Sequence, residues 1–206
     1  HADPTWVLSN HDVIRHVTRY GGGEQGLARA RAATLTMLSL PGSAYLYQGE
    51  ELGLEQVDVP PAHRTDPSWL RTKDSESPEV GRDGCRVPIP WSGSEPPYGF
   101  GPGSGQPWLP QPDGWGPVSA EAQAGDPTST LSFYRRALAA RRGLLGLTED
   151  VAVEHADGVL TLRRGDLTVV LNCGTVDVPL PAGDLVASSG PVDGEVLPPD
   201  TAVWLR

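Results

Sequence analysis

Three rhythms of apolar and polar positions succeed one another along this 206-residue chain. Near the N-terminus, Thr5-Trp6-Val7-Leu8-Ser9 is a short β-prone run without alternation, the pattern of a strand buried on both faces. From Gly26 to Leu40 the apolar residues Leu27, Ala30, Met37 and Leu38, with Thr34 among them, fall at helical spacing, and Pro41-Gly42 stops the run. Ala44-Tyr45-Leu46-Tyr47 is a second short strand. Strand, helix and strand with short connections predict a βαβ unit with parallel strands. Two parallel strands cannot cover their own faces, so the unit is expected to belong to a larger sheet.

Beyond Val151 the period falls to two. Val151–His155, Val159–Arg163 and Leu167–Asn172 read as strands, with Asp157-Gly158 and Gly165-Asp166 as the hairpin turns between them. Val176–Leu180, Leu185–Ser188 and Ala202–Leu205 complete a small antiparallel sheet or sandwich. At about 55 residues such a domain is marginal alone and should pack against the rest of the chain. Between the two patterned ends, residues 53–125 are rich in Pro, Gly, Trp and Ser, which predicts a long ordered loop. Trp69, Trp91, Trp108 and Trp115 are expected to pin it as aromatic plugs, with sugar stacking by one of them as the alternative. Asp126-Pro127 then predicts a helix start with an acidic N-cap, and Arg141-Arg142-Gly143 its end, with Gly143 in a left-handed turn.

Composition narrows the partners. A net charge of -10 repels phosphate backbones and anionic lipid, so neither nucleic acid nor a membrane surface is expected as a partner. No apolar run approaches the length needed to span a bilayer. Cys85 and Cys173 lie far apart, without a second Cys or His at zinc-binding spacing, which predicts free thiols and a reducing, cytoplasmic setting. No metal or cofactor is expected.

In parallel α/β architectures the chemistry sits at the C-terminal strand ends. One such end presents Asn10, His11, Asp12 and, three residues on, Arg15; the other presents Gln48, Gly49, Glu50 and Glu51. Carboxylate, imidazole and guanidinium together suit a polyhydroxylated ligand, because the Asp accepts hydroxyl protons while the Arg fork donates several bonds. Two adjacent glutamates ordinarily mean one solvated charge and one structural cap.

Asn10-His11-Asp12 after its Trp-Val-Leu-Ser strand resembles the fourth signature region of glycoside hydrolase family 13, the α-amylase family. The run Gly42–Glu51 is similar to the same family's last signature region. Arg82-Asp83-Gly84-Cys85-Arg86-Val87-Pro88-Ile89-Pro90-Trp91 resembles a stretch of its α-glucosidase and oligo-1,6-glucosidase branch. Trp108-Leu109-Pro110, and Glu121-Ala122-Gln123 leading into Ser132–Arg136, are similar to the same branch. The resemblance implies the last two β/α units of a (β/α)8 barrel in residues 1–147, followed by an antiparallel β-sandwich domain in residues 148–206. It implies Asp12 as the transition-state-stabilising carboxylate and His11 and Arg15 as sugar-binding residues, with Glu50 and Glu51 shaping the barrel mouth.

The implied parent is a retaining α-glucosidase acting on small α-glucosides. The family carries its nucleophile and acid/base carboxylates after barrel strands four and five, outside these residues, so this chain alone is expected to be inactive. The alternatives are a related glucosyl transferase or isomerase, or a non-catalytic scaffold like the heavy chains of amino-acid transporters. A sugar-binding role for the β-domain alone is disfavoured, since its one tryptophan, Trp204, sits in an apolar strand.

Overall fold

In the computed structural model, which describes residues 3–101 and 105–206, β1 (Thr5–Val7) pairs in parallel with β2 (Ser43–Tyr45), Trp6 opposite Ala44. Between them run α1 (His16–Arg19) and α2 (Gly23–Ser39), so the expected βαβ unit is present. The helix starts at Gly23, earlier than the periodicity predicts. Gly21, Gly22 and Gly23 all take positive φ, a turn that side-chain-bearing residues resist, and the helix leaves directly from it. Its other end is capped from a distance. The Arg141 guanidinium donates to the carbonyls of Leu38, Leu40 and Gly42, and Arg164 Nη1 donates to that of Ser39 at 3.0 Å. These cations satisfy carbonyls that have no partner within the helix.

Val7 is 47 % and Tyr45 63 % exposed. Among the described residues β1 and β2 pair only with each other, and burial on both faces needs the larger sheet that the unit is expected to join.

The long segment after β2 is not a bare loop. It contains α3 (Pro67–Thr72), α4 (Asp83–Arg86) and α5 (Ala120–Ala124), with single 3-10 turns at Pro61–His63 and Gly116–Val118. Residues 102–104 of the predicted loop lie outside the described residues. Two small cores order it: Leu52, Leu54 and Ile89 in one, and Val59, Val87 and Leu109 in the other, with Trp115 packed against both. Of the four expected plugs, only Trp115 has that role. Trp91 and Trp108 are half exposed, and Trp69 lies beneath the Arg64 guanidinium at 4.5 Å from its ring centroid. The plug that sequence periodicity missed is Tyr98. It is fully buried, and its hydroxyl donates to the Pro112 carbonyl and accepts from the Trp115 amide.

The last helix, α6, covers Thr130–Arg142 and begins after Asp126, not at it. The Asp126 carboxylate accepts from the amide and hydroxyl of Thr128, a local turn that competes with helix capping, and the Ser129 hydroxyl accepts from the Ser132 amide instead. The helix ends where expected, but Gly143 is not left-handed. The chain runs on through further turns, and the positive φ comes at Gly146.

The C-terminal strands are β3 (Ala152–Ala156), β4 (Val159–Arg164), β5 (Leu167–Asn172), β6 (Val178–Pro179), β7 (Leu185–Ser188), β8 (Val196–Leu197) and β9 (Thr201–Leu205). Five of them form an antiparallel sheet in the order β3-β4-β5-β9-β7, while β6 and β8 pair separately. Asp157 and Gly158 both take positive φ, and Gly165 does so at the next turn, the backbone that two-residue hairpins require. Every residue of β9 is buried, because its sheet is covered on both sides. Val203 and Leu205 join Val170 and Leu197 in one cluster, against which Val178 packs. On the opposite face, Trp204 pairs with Val169 and its indole donates to the Leu35 carbonyl of α2 at 3.1 Å. The small domain therefore packs on a barrel-type helix, as its size requires. That same burial leaves Trp204 unable to serve as a sugar platform.

By contact density the chain divides into two compact units. One comprises the N-terminal residues through Leu8, Tyr20–Tyr45 and Phe133–Arg206; the other comprises Ser9–Arg19 and Leu46–Ser132. The second contains every residue of the site described next.

Candidate functional site

The turn after β1 is shaped by its own side chains. The Asp12 amide donates to Asn10 Oδ1 at 2.8 Å, closing a tight turn that presents His11 and Asp12 outward. Just before it, the buried Ser9 hydroxyl accepts the His16 amide at 2.9 Å, which ties the turn to the start of α1. His11 Nε2 lies 3.3 Å from Asp12 Oδ2, and the Asp12 side chain remains 48 % exposed.

Two arginines converge on the other carboxylate oxygen. Arg82 Nη1 is 2.8 Å and Arg86 Nη2 3.0 Å from Asp12 Oδ1, and Arg86 Nε donates to the His11 carbonyl at 2.7 Å. Arg82 and Arg86 are four residues apart on α4 and its cap, so both side chains point the same way. The Arg82 hydrogen bond, more than the nearby His11 and Arg86, holds the Asp12 carboxyl below the usual carboxylate range against partial burial. Asp12 is therefore an anion at neutral pH, with one oxygen clamped and the other facing His11.

The clamp is itself anchored. Asp66 is fully buried, accepting from Arg82 Nε at 2.8 Å, the Arg82 amide at 3.0 Å and the Ser68 amide at 2.8 Å. Burial works against its charge, but these bonds outweigh it and hold the carboxyl far below the ordinary range. Asp83 in turn accepts from the Asp66 and Thr65 amides, fixing the strand of loop that carries Asp66.

Arg15 is placed differently from His11 and Asp12. It is 2 % exposed, and its guanidinium faces inward, donating to the carbonyls of Gln48 at 2.9 Å and Cys85 at 3.0 Å and lying over the Tyr47 ring. It thereby joins the two strand-end loops to α4. Of the two glutamates, Glu51 is the cap, accepting the Gly49 amide at 2.8 Å. Glu50 is not the solvated charge expected of its neighbour but is buried.

The structure thus brings His11 and Asp12 together and sets Arg15 behind them. Arg82 and Arg86 were not among the expected site residues. Their signal was the Arg-Asp-x-x-Arg spacing itself, which places two cations on one helix face, but nothing local says which carboxylate they meet.

Residues 2–149 match the family described as "Alpha amylase, catalytic domain", and residues 132–204 match "Domain of unknown function (DUF3459)". Among curated relatives, the "Probable alpha-glucosidase" of Rhizobium meliloti (strain 1021) is 40 % identical over 138 residues, covering 66 % of this chain and 24 % of that protein. "Oligo-1,6-glucosidase IMA3" of Saccharomyces cerevisiae is 28 % identical over 169 residues, covering 70 % and 28 % respectively. Among solved structures, the alpha-glucosyl transfer enzyme XgtA superposes with a TM-score of 0.79 at 34 % identity, covering 99 % of this chain and 40 % of that one. The chain spans about a quarter of the length of these curated relatives. No helix among the described residues is long and apolar enough to cross a membrane.

Proposed function

Since this chain belongs to the alpha-amylase catalytic-domain family, we propose that the intact protein is a retaining α-glucosidase that releases terminal α-linked glucose from small oligosaccharides. The observation that carries the reading is Asp12, an ionised, half-exposed carboxylate clamped on one oxygen by Arg82 and Arg86 and flanked on the other by His11. An anion held there stabilises positive charge developing on a sugar ring and accepts hydroxyl protons without itself forming a bond. His11 is exposed beside it and supplies a hydroxyl contact. Arg15, buried with its guanidinium on the Gln48 and Cys85 carbonyls, serves the sugar site by holding the Asn10–Asp12 loop and the end of β2 in place.

The nucleophile and acid/base of a retaining glycosidase stand about 5–5.5 Å apart across the scissile bond. In this reading they belong to polypeptide outside these 206 residues, so the chain by itself is inactive. The same proposal assigns residues 1–147 to the catalytic barrel and 148–206 to its C-terminal β-domain, and a reducing, cytoplasmic location in keeping with two free cysteines.

The test is turnover of 4-nitrophenyl α-glucoside by the intact protein. Asp12→Asn should lower kcat/KM on the order of 10³-fold, the loss of several kcal/mol of transition-state stabilisation. Turnover by the 206-residue chain alone, or an Asp12→Asn variant of wild-type activity, refutes the assignment. A second reading, glucosyl transfer, is favoured by the 34 % identity to XgtA over nearly the whole chain. Incubation with maltose separates the two: hydrolysis gives glucose alone, transfer gives longer or rearranged saccharides. The clamp around Asp12 argues against a non-catalytic scaffold, which has no use for an exposed anion pinned by two cations.

A further inference from the structure

Beneath the Asn10–Asp12 turn lies a buried acid that the proposed chemistry does not use. The Glu50 side chain is 1 % exposed, and neither carboxylate oxygen has a hydrogen-bond partner among the described residues. His16 Nδ1, also buried, is 4.0 Å from Glu50 Oε1 and 2.9 Å from the Ser9 hydroxyl. Ser9 immediately precedes the turn, and its oxygen already accepts the His16 amide. The arrangement that fits has Ser9 donating its hydroxyl proton to an unprotonated Nδ1.

The charged and titratable groups facing the pair come from both strand-end loops. Arg15 and Arg19 lie on the His16 side, and Tyr47, Glu51 and again Arg15 on the Glu50 side. Burial pushes the Glu50 carboxyl up to about 7; the Tyr47 and Ser9 backbone and Arg15 pull the other way without supplying a bond of ordinary geometry. Burial, then Arg19 and Arg15, push His16 down to about 4. Between about pH 4 and about pH 7 both groups are therefore uncharged, which is why the Glu50 carboxyl can be buried without a donor.

We infer that Glu50 is a positioning residue for the Asp12 turn, holding it as an uncharged acid and loosening it when ionised. A buried anion must find donors. The Ser9 hydroxyl and Arg15 guanidinium already hold His16 and the Gln48 and Cys85 carbonyls, and the Tyr47 and Ser9 backbone must shift to form a bond, so recruiting any of them disturbs the loop that carries His11 and Asp12.

This inference rests on the glycosidase reading, and the experiment separates the two. In the intact protein, kcat/KM for 4-nitrophenyl α-glucoside is followed from pH 5 to 9 for wild type and Glu50→Gln, which keeps the shape but cannot ionise. Wild type should lose about tenfold by one pH unit above the Glu50 midpoint, as one ionisation dictates, while the variant matches it in acid and keeps its rate above pH 7. Rates that fall identically in both proteins overturn the inference. The nitrogen shift of His16 in wild type, followed over the same range, needs no variant and no turnover. A step near the same pH supports the coupling, and a flat trace overturns it. Absence of turnover at every pH sinks the glycosidase reading, with the His16 trace still deciding the inference.

Discussion

Asp66→Asn is the sharpest test of how the site is held. One carboxylate oxygen of Asp66 accepts the Ser68 amide at the N-cap of α3, and the other accepts two N–H groups of Arg82. An asparagine has one acceptor oxygen and one NH2. Whichever way it turns, donors face donors on one side. With the oxygen kept toward Arg82, the α3 cap is lost, at about 1 kcal/mol. The Arg82 guanidinium then meets a neutral acceptor in place of a carboxylate, a further loss of about 1 kcal/mol. The Arg82 side chain is 42 % exposed, so water takes up part of what it loses and the total stays near 2 kcal/mol.

The pH dependence fixes the mechanism. The Asp66 pKa is depressed in the folded protein, so its stabilisation is present above the unfolded value, about 4, and is lost as pH falls through the folded one. Urea unfolding of wild type and variant should therefore differ by about 2 kcal/mol at pH 7 and by visibly less at pH 3. A difference below about 0.5 kcal/mol at pH 7, within the range of unremarkable surface substitutions, would refute the reasoning. So would a difference that does not narrow in acid.

Two other substitutions probe the supports. Gly49 has φ +89, and a Cβ there would stand 2.8 Å from Arg15 Nη1 and 2.9 Å from Leu54 Cδ1. Gly49→Ala should cost about 2 kcal/mol in a urea melt and displace Arg15 from the Gln48 carbonyl, visible as a lowered kcat/KM in the intact protein. Trp204→Phe removes a buried indole donor from the Leu35 carbonyl and leaves a small void. It should cost about 1–3 kcal/mol by thermal unfolding, and an unchanged Tm would mean that this contact does not secure the β-domain to α2.

Much of this architecture was legible in the residues, because much of it is periodic or local. Helical spacing in the Leu27–Leu38 stretch between two β-prone runs specified the βαβ unit. Asp157-Gly158 and Gly165-Asp166 named their own hairpins, since few residues accept the positive φ those turns need. The strand end at Asn10-His11-Asp12 was legible too, though not the bond spanning two residues that closes its turn. Where local chemistry offered two choices, the sequence misled: Asp126 could cap a helix or close a turn, and it closes the turn.

Tertiary structure decided what depends on partners distant in the chain. Asp12 meets Arg82 and Arg86 across 70 and 74 residues, and no period in the sequence encodes that meeting. Arg15 turned inward because the Gln48 and Cys85 carbonyls, one from each of two other segments, needed a donor where its guanidinium could reach. Glu50 was buried by the packing around it, and burial, more than the neighbouring Glu51, pushed its carboxyl up to about 7. Local periodicity sets which elements form, because helix contacts join neighbours in sequence and a strand's alternation fixes which of its faces is apolar before it finds a partner. The charge state and direction of a side chain are set by the groups that folding brings within a few ångströms of it, and those come from anywhere in the chain.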